Sequence, residues 1–255
     1  MGPVDVSVVI PVKDEADNIA PLFEEIRAAL DDIIDYEVLF IDDGSRDTTA
    51  AKVLQLTAGR PRWRLLRHAA SYGQSAAIRT GVRMACGVWI ATLDGDGQND
   101  PADIPKLLHF ARANSPNSAV LVAGCREKRQ DSWLKRLASL IANALRSRLL
   151  GDQTPDTGCG LKLFPRSLFL DLPYFDHMHR FLPALVLREG GLVHSVPVNH
   201  RPRQTGVSKY GVFDRLGEGI IDLFGVIWLQ HRAARPRLLD GMTSEAGGPP
   251  PSAAA

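Results

Sequence analysis

Roughly the first 110 residues alternate short, strongly apolar runs with longer segments of helical spacing, and this alternation restricts the fold more than any other feature. Val6 to Val12 (VSVVIPV) is rich in β-branched residues, the mark of a strand buried on both faces. Asp14 to Leu30 then carries Ile19, Leu22, Phe23, Ile26 and Leu30 at helical spacing. Tyr36 to Ile41 (YEVLFI) predicts a second buried strand, followed by a helix bearing Ala50, Val53, Leu54 and Leu56. Trp63 to Leu66 predicts a short strand and Gly73 to Cys86 a helix of small residues. Val88 to Leu93 (VWIATL) predicts a strand that runs into Asp94. Such a repeat is expected to close as a right-handed, doubly wound, mostly parallel sheet, an α/β Rossmann-like class with helices on both faces.

The second half is less regular. Val120 to Ala123 and Leu192 to Val198 predict strands; Trp133 to Leu150, Phe181 to Glu189 and Leu216 to Leu229 predict helices. From about Gly241 the chain is rich in Gly, Pro, Ser and Ala, a composition expected to be disordered. With 255 residues, 45% of them hydrophobic, one large domain over 1–240 is expected, and 241–255 as a tail. Thirty Lys and Arg against 29 Asp and Glu give a net charge of +1, which excludes a general coat for nucleic acid. Cys86, Cys125 and Cys159 show no paired spacing and read as reduced thiols of a cytoplasmic protein. No signal peptide is read at the N-terminus, and no apolar run reaches the length of a spanning helix, so a soluble or peripheral protein is expected.

Ligands of an open parallel sheet sit beyond the carboxyl ends of its strands. Three predicted strands end near acids: Val12 before Lys13-Asp14-Glu15, Ile41 before Asp42-Asp43, and Leu93 before Asp94-Gly95-Asp96. Acids gathered there suit a hard divalent cation between protein and a diphosphate, since Mg²⁺ and Mn²⁺ take oxygen ligands. Gly95 is expected to let the backbone bend so that both carboxylates face the cleft, and Gln98 offers another oxygen. Asp-Gly is also a common turn former, and Ser45 or Asp47 would cap the next helix, so a turn reading stands beside the site reading.

These segments together resemble the family-2 glycosyltransferases of the GT-A fold, closest to the dolichyl-phosphate mannose synthase-like branch, which loads sugars onto polyprenyl phosphates. The resemblance runs from about Val6 to Leu229, through VVIPVKDEADNI, YEVLFIDDGSRDTT, GQSAAIRTG, IATLDGDGQNDP, VAGCRE, DTGCGLKLF and RPRQTGVSKYG. It implies a nucleotide-binding part at about 5–115 and an acceptor part at about 116–240. It implies that Pro11, Glu15, Ile41 and Asp43 contact the nucleoside of a GDP- or UDP-sugar. Asp94 and Asp96, with Gln98, are the implied ligands of Mg²⁺ or Mn²⁺ at the donor diphosphate. Arg126 is implied to bind phosphate, and Arg203 and Lys209 to close over the diphosphate. Asp96, Arg203 and Lys209 are thus the implied catalytic groups of an inverting transfer. The chain departs from the common pattern at Lys13-Asp14, often Tyr-Asn, and at Gly95, often Ala.

Segment 126–148 carries Arg126, Lys128, Arg129, Lys135, Arg136, Arg146 and Arg148 against Glu127 and Asp131. A solvated helix face is one reading and a seat for an acceptor phosphate is the other; the resemblance implies an acceptor-phosphate arginine here, matched by either Lys135 or Arg136. No aromatic platform or recognition motif accompanies the charges, so nucleic acid is not expected. His179 and Arg180 precede an apolar helix and are weaker candidates for the acceptor side. Leu216 to Leu229 contains Glu218 and Asp222, and cations follow at Arg232, Arg235 and Arg237. It is expected either to lie at a membrane interface, on the cytoplasmic face, or to pack as a core or oligomer helix. Two other activities remain in view. One is transfer to a hydroxyl of a soluble or polysaccharide acceptor, which would need a general base such as Asp96. The other is nucleotidyl transfer, which would want a glycine-rich loop that PVKDEADN lacks.

Overall fold

A computed structural model describes residues 4–114, 119–126, 146–152, 154–202 and 212–234, with the backbone alone for 212–218. The first part follows the predicted alternation. Its elements are β1 (Val4–Val12), α1 (Ala16–Leu30), β2 (Tyr36–Asp42), α2 (Thr49–Thr57), β3 (Trp63–Arg67), α3 (Gln74–Met84), β4 (Gly87–Thr92) and α4 (Asp103–Asn114). Then come β5 (Val120–Arg126), a helical turn at 146–150, β6 (Lys162–Pro165), α5 (Arg166–Asp171) and a 3₁₀ turn (Met178–Arg180). The chain continues through α6 (Leu182–Arg188), β7 (Leu192–Val198) and α7 (Val212–His231).

Seven strands form one sheet in the order β3-β2-β1-β4-β6-β5-β7. β1 pairs in parallel with β2 and β4, β2 with β3, and β5 with β7. Among the described strands only β6 runs against its neighbours, β4 and β5, so the sheet is mixed but mostly parallel. The order reverses at β1, and the switch between β1 and β4 opens the crevice in which such sheets bind ligands.

The two-residue period of β1 divides the core. Val6, Val8, Ile10 and Val12 face a layer with Ile19, Leu22 and Ile26 of α1 and Ile104 and Leu107 of α4. Val9 faces the opposite layer with Ile78 and Val82 of α3, Phe164 and Phe169 near α5, and Leu185 of α6. Helices therefore cover both faces, which is why the strands read as continuous apolar runs. A Cβ on Gly81 would lie 2.4 Å from a Val9 methyl, so α3 packs against β1 closer than any larger residue permits. Glu37, buried near the start of β2, is matched rather than left bare: Ser7 and the Cys86 amide donate to one oxygen and Arg64 to the other. None of the three cysteines is joined in a disulfide.

β6 had no predicted counterpart. It has four residues, one of them the buried Lys162 and another Pro165, so neither length nor alternation announces it. The predicted helix from Trp133 lies outside the described residues except for its last turn at 146–150, and the tail from Gly241 lies wholly outside them.

Candidate active site

The crevice is built from the three acidic strand ends. Leu93 follows β4 and is fully buried; its amide donates to Val9 of β1, which locks the strand end in place. Asp94 comes next, at the switch point. The Gln74 side-chain amide donates to its Oδ1 at 2.8 Å, and its backbone N–H donates to Asn99. Its carboxylate lies directly over Gly160: a Cβ there would fall 2.2 Å from Oδ2. Burial first, and then the charge of Asp96, push the Asp94 carboxyl up to about 6, against the pull of Lys162, Gln74 and Arg126.

That environment fits a cation. The charge of Asp96 beside the Asp94 carboxylate is relieved by a divalent ion, and an all-oxygen set suits Mg²⁺ or Mn²⁺. Among the described residues no group of three or more His, Cys, Asp or Glu forms a cage of its own. An ion on Asp94 and Asp96 would therefore complete its shell from a diphosphate and water, as Mg²⁺ commonly does. Gly95 serves the site by its size. Its φ is not among the positive values, but a Cβ would meet Val12 at 2.7 Å and the Pro11 carbonyl at 3.0 Å. The positive φ of the loop falls instead on Gly97, at 72°. The Gln98 backbone N–H donates to Asp96, and its side-chain nitrogen reaches the Arg201 carbonyl at 3.4 Å. Gln98 thus joins the acidic loop to 200–202, the strip that leads to Arg203 and Lys209; those two residues lie outside the described ones.

At the end of β2, Asp42 and Asp43 divide their work. Asp42 is fully buried and accepts from the Ser45 amide and Arg67. Asp43 accepts four hydrogen bonds from one loop: His68 Nδ1 at 2.8 Å, Ser71 Oγ at 2.7 Å, and the Tyr72 and Gly73 amides at 2.9 Å each. Burial raises its pKa, but these bonds outweigh it and hold the carboxyl below its ordinary value. Ile41 is buried beside it, and Pro11 lines the end of β1. The Glu15 side chain accepts from Asn18, and its amide donates to Thr49. Ser45 accepts from the Asp14 amide instead of capping α2, whereas Asp47 accepts the Thr49 amide where α2 begins.

The opposite wall comes from β5, β6 and the 3₁₀ turn. Arg126, at the end of β5, makes a bidentate pair with Asp156 at 2.6 and 2.7 Å. Arg146 makes another with Asp152. The basic run is therefore partly neutralised among the described residues; Lys128, Arg129, Lys135 and Arg136 lie outside them. Lys162 is buried and donates to the carbonyls of Thr157 and Cys159. Burial lowers its pKa, while Cys159, Asp94 and Asp156 pull the other way. Ser75 Oγ accepts the His179 N–H at 3.2 Å and lies 2.7 Å from its Nδ1. Burial, and then the charges of Lys162, Arg180 and His177, lower the His179 pKa to about 3, so its ring is neutral.

Sequence reasoning identified the acids but not the groups that hold them. Gln74, Gly160 and Lys162 stand 20, 66 and 68 positions from Asp94, and His68 and Ser71 stand 25 and 28 from Asp43. The segments GQSAAIRTG and DTGCGLKLF, singled out without roles for these residues, were the available signal.

Comparison with known proteins agrees with this geometry. The family model described as glycosyl transferase family 2 matches residues 7–172. A dodecaprenyl-phosphate galacturonate synthase of Rhizobium johnstonii is 35% identical over 245 residues, covering 91% of this chain and 69% of that protein. An undecaprenyl-phosphate 4-deoxy-4-formamido-L-arabinose transferase of Edwardsiella ictaluri is 36% identical over 210 residues, covering 81% and 63%. The chain thus spans about two thirds of the length of these relatives. Glucosyl-3-phosphoglycerate synthase of Mycobacterium tuberculosis, crystallised with Mn²⁺, UDP and glucosyl-3-phosphoglycerate, shares the fold with a TM-score of 0.66 at 18% identity, over 92% of this chain and 81% of that one. With the sheet order, the acidic switch point and the family match in agreement, the chain belongs to glycosyl transferase family 2 and has the GT-A fold.

Proposed function

We propose that the chain moves a hexose such as mannose from a GDP- or UDP-sugar onto a polyprenyl phosphate, dolichyl or undecaprenyl, with inversion. The observation that carries the donor half is Asp94 at the switch point, its carboxyl raised by burial and by Asp96. The acceptor half is supported by the names of the two relatives, both of which handle sugars on polyprenyl phosphates. In this reading Pro11, Glu15, Ile41 and Asp43 receive the nucleoside. Asp94 and Asp96, with Gln98, would hold Mg²⁺ or Mn²⁺, which when bound neutralises charge on the departing diphosphate. Arg126 faces phosphate with its fork fixed by Asp156, and Arg203 and Lys209 close the site from the strip beyond Pro202.

A phosphate oxygen of the acceptor attacks the anomeric carbon as the bond from that carbon to the diphosphate oxygen breaks. The bonding pair leaves with the nucleoside diphosphate. An ionised phosphate needs no general base.

Peripheral membrane contact belongs to the same reading. No described helix is long and apolar enough to cross a bilayer. α7 instead buries Val226 against the core and turns Ile221, Phe224 and Trp228 outward, 73%, 67% and 59% exposed. Arg232 lies over the Trp228 ring at 5.9 Å. Aromatic and aliphatic side chains on one face, with a cation at the edge, suit the interface where a lipid phosphate lies, on the cytoplasmic side. The test is incubation with labelled nucleotide sugars, a divalent ion and polyprenyl phosphate. Label in an organic-extractable, acid-labile lipid supports the reading; transfer to water-soluble acceptors alone overturns it.

A further inference from the structure

The loop 71–73 and the start of α3 that follows it touch the ends of β1, β2 and β4 and the 3₁₀ turn. Lys13, after β1, donates to Ser71 Oγ at 3.0 Å. Asp43, after β2, accepts from Ser71, Tyr72 and Gly73. Asp94, after β4, accepts from Gln74, and His179 of the 3₁₀ turn is bound to Ser75. Gln74 therefore stands between two residues that are each pinned, Gly73 through its amide and Ser75 through its hydroxyl. Its side chain is exposed on the crevice wall but leaves from a fixed point of the backbone. The amide orientation follows from chemistry: facing a carboxylate, only the NH₂ end makes a favourable contact.

We propose that Gln74 is a positioning residue that fixes the Asp94 carboxylate for a divalent cation. Gly160 lies against one side of the Asp94 carboxylate, and the Gln74 amide holds its Oδ1. With Oδ1 engaged by a neutral donor, the carboxylate keeps its charge and its plane while Asp96 repels it. A neutral amide suits this task because a second cation would compete with the metal, and a carboxylate would add to the repulsion. The bonds of the Tyr72 and Gly73 amides to Asp43 hold the backbone that carries Gln74, and the bond of Ser75 to His179 ties the next residue to the 3₁₀ turn.

The inference rests on the reading of Asp94 and Asp96 as metal ligands, and the test separates the two. Mn²⁺ binding to the full chain, without nucleotide, is followed by electron paramagnetic resonance for the parent, Gln74→Met, Gln74→Ala and Ser75→Ala, with thermal melting beside each. Loss of one hydrogen bond to a charged group predicts Mn²⁺ affinity lower by about tenfold or more in both Gln74 variants, at parental Tm. Ser75→Ala, which keeps the amide, is expected to retain Mn²⁺ affinity within about threefold. Parental affinity in Gln74→Met overturns the proposal. So does an equal loss in Ser75→Ala, which would assign the effect to displacement of the helix. A parent that binds no Mn²⁺, and is unaffected by Asp96→Asn, would instead overturn the metal reading itself.

Discussion

Gly160→Ala offers a direct probe of how tightly the acidic centre is built. The added Cβ would lie 2.2 Å from Asp94 Oδ2, 2.4 Å from Cγ and 2.6 Å from Oδ1, where ordinary contact begins at 3.4 Å. One group must move by about 1 Å, and the backbone is the less free of the two. The Gly160 carbonyl accepts from Thr92 Oγ1 at 2.6 Å, and Leu161 accepts the Gly124 amide on β5. The carboxylate yields, sliding away from the position it shares with Asp96. A displacement of about 1 Å at a reacting centre costs on the order of 100-fold, equivalent to about 2.7 kcal/mol of barrier. Local overpacking adds about 1–3 kcal/mol of strain, which for a chain of this size lowers Tm by several degrees without unfolding it. The assay is kcat/KM for sugar transfer with a saturating divalent ion, beside a thermal melt of the same preparation. Transfer within about threefold of the parent would refute the reasoning, because the carboxylate would then tolerate the displacement or never have been the ligand.

Other consequences follow from the same geometry. Asp96→Asn removes a metal carboxylate at almost constant volume and should lower transfer by about 100-fold or more while Tm holds; near-parental turnover counts against the assignment. Asp43→Ala leaves four donors without their acceptor and should cost about 3 kcal/mol, roughly 6–12 °C in Tm, measured by melting with and without a UDP- or GDP-sugar. Because Asp94 holds its proton up to about 6, a metal must displace that proton at lower pH, so Mn²⁺ affinity should fall about tenfold per unit as pH drops below 6 and level off above it. A titration that is flat from pH 5 to 7 would contradict that direction. Paired Ile221→Asp and Phe224→Asp substitutions on the outer face of α7 should release the chain from anionic vesicles in a flotation assay while soluble Mn²⁺ binding persists; unchanged flotation argues that another surface meets the lipid.

The parallel half of the sheet was legible because its central strands are covered on both faces and read as predominantly apolar runs. Val6 to Val12 and Tyr36 to Ile41 differ from β1 and β2 only at their ends. β6 was hidden because its partners, β4 and β5, supply most of what holds four residues in place. The acids were visible because they follow those apolar runs directly. Their supports were not, because Gln74, Gly160 and Lys162 reach Asp94 only once β4 lies beside β1 and β6. Gly95 shows the difference in kind: its presence in the loop was legible, whereas its reason, room against Val12 and Pro11, is a distance between strands. The basic run likewise looked like open charge, and only folding reveals Asp156 and Asp152 against Arg126 and Arg146.

The central claim is that the sugar alone, not a sugar phosphate, passes to a lipid phosphate by cleavage at the anomeric carbon. A donor labelled with carbon in its sugar and with phosphorus in its β-phosphate decides this in one experiment with polyprenyl phosphate and a divalent ion. The account predicts the carbon label in the organic phase and the phosphorus label left in water as nucleoside diphosphate, with both movements lost in Asp96→Asn. Phosphorus label travelling with the sugar into the lipid, or no label entering the lipid with any nucleotide sugar, would contradict it.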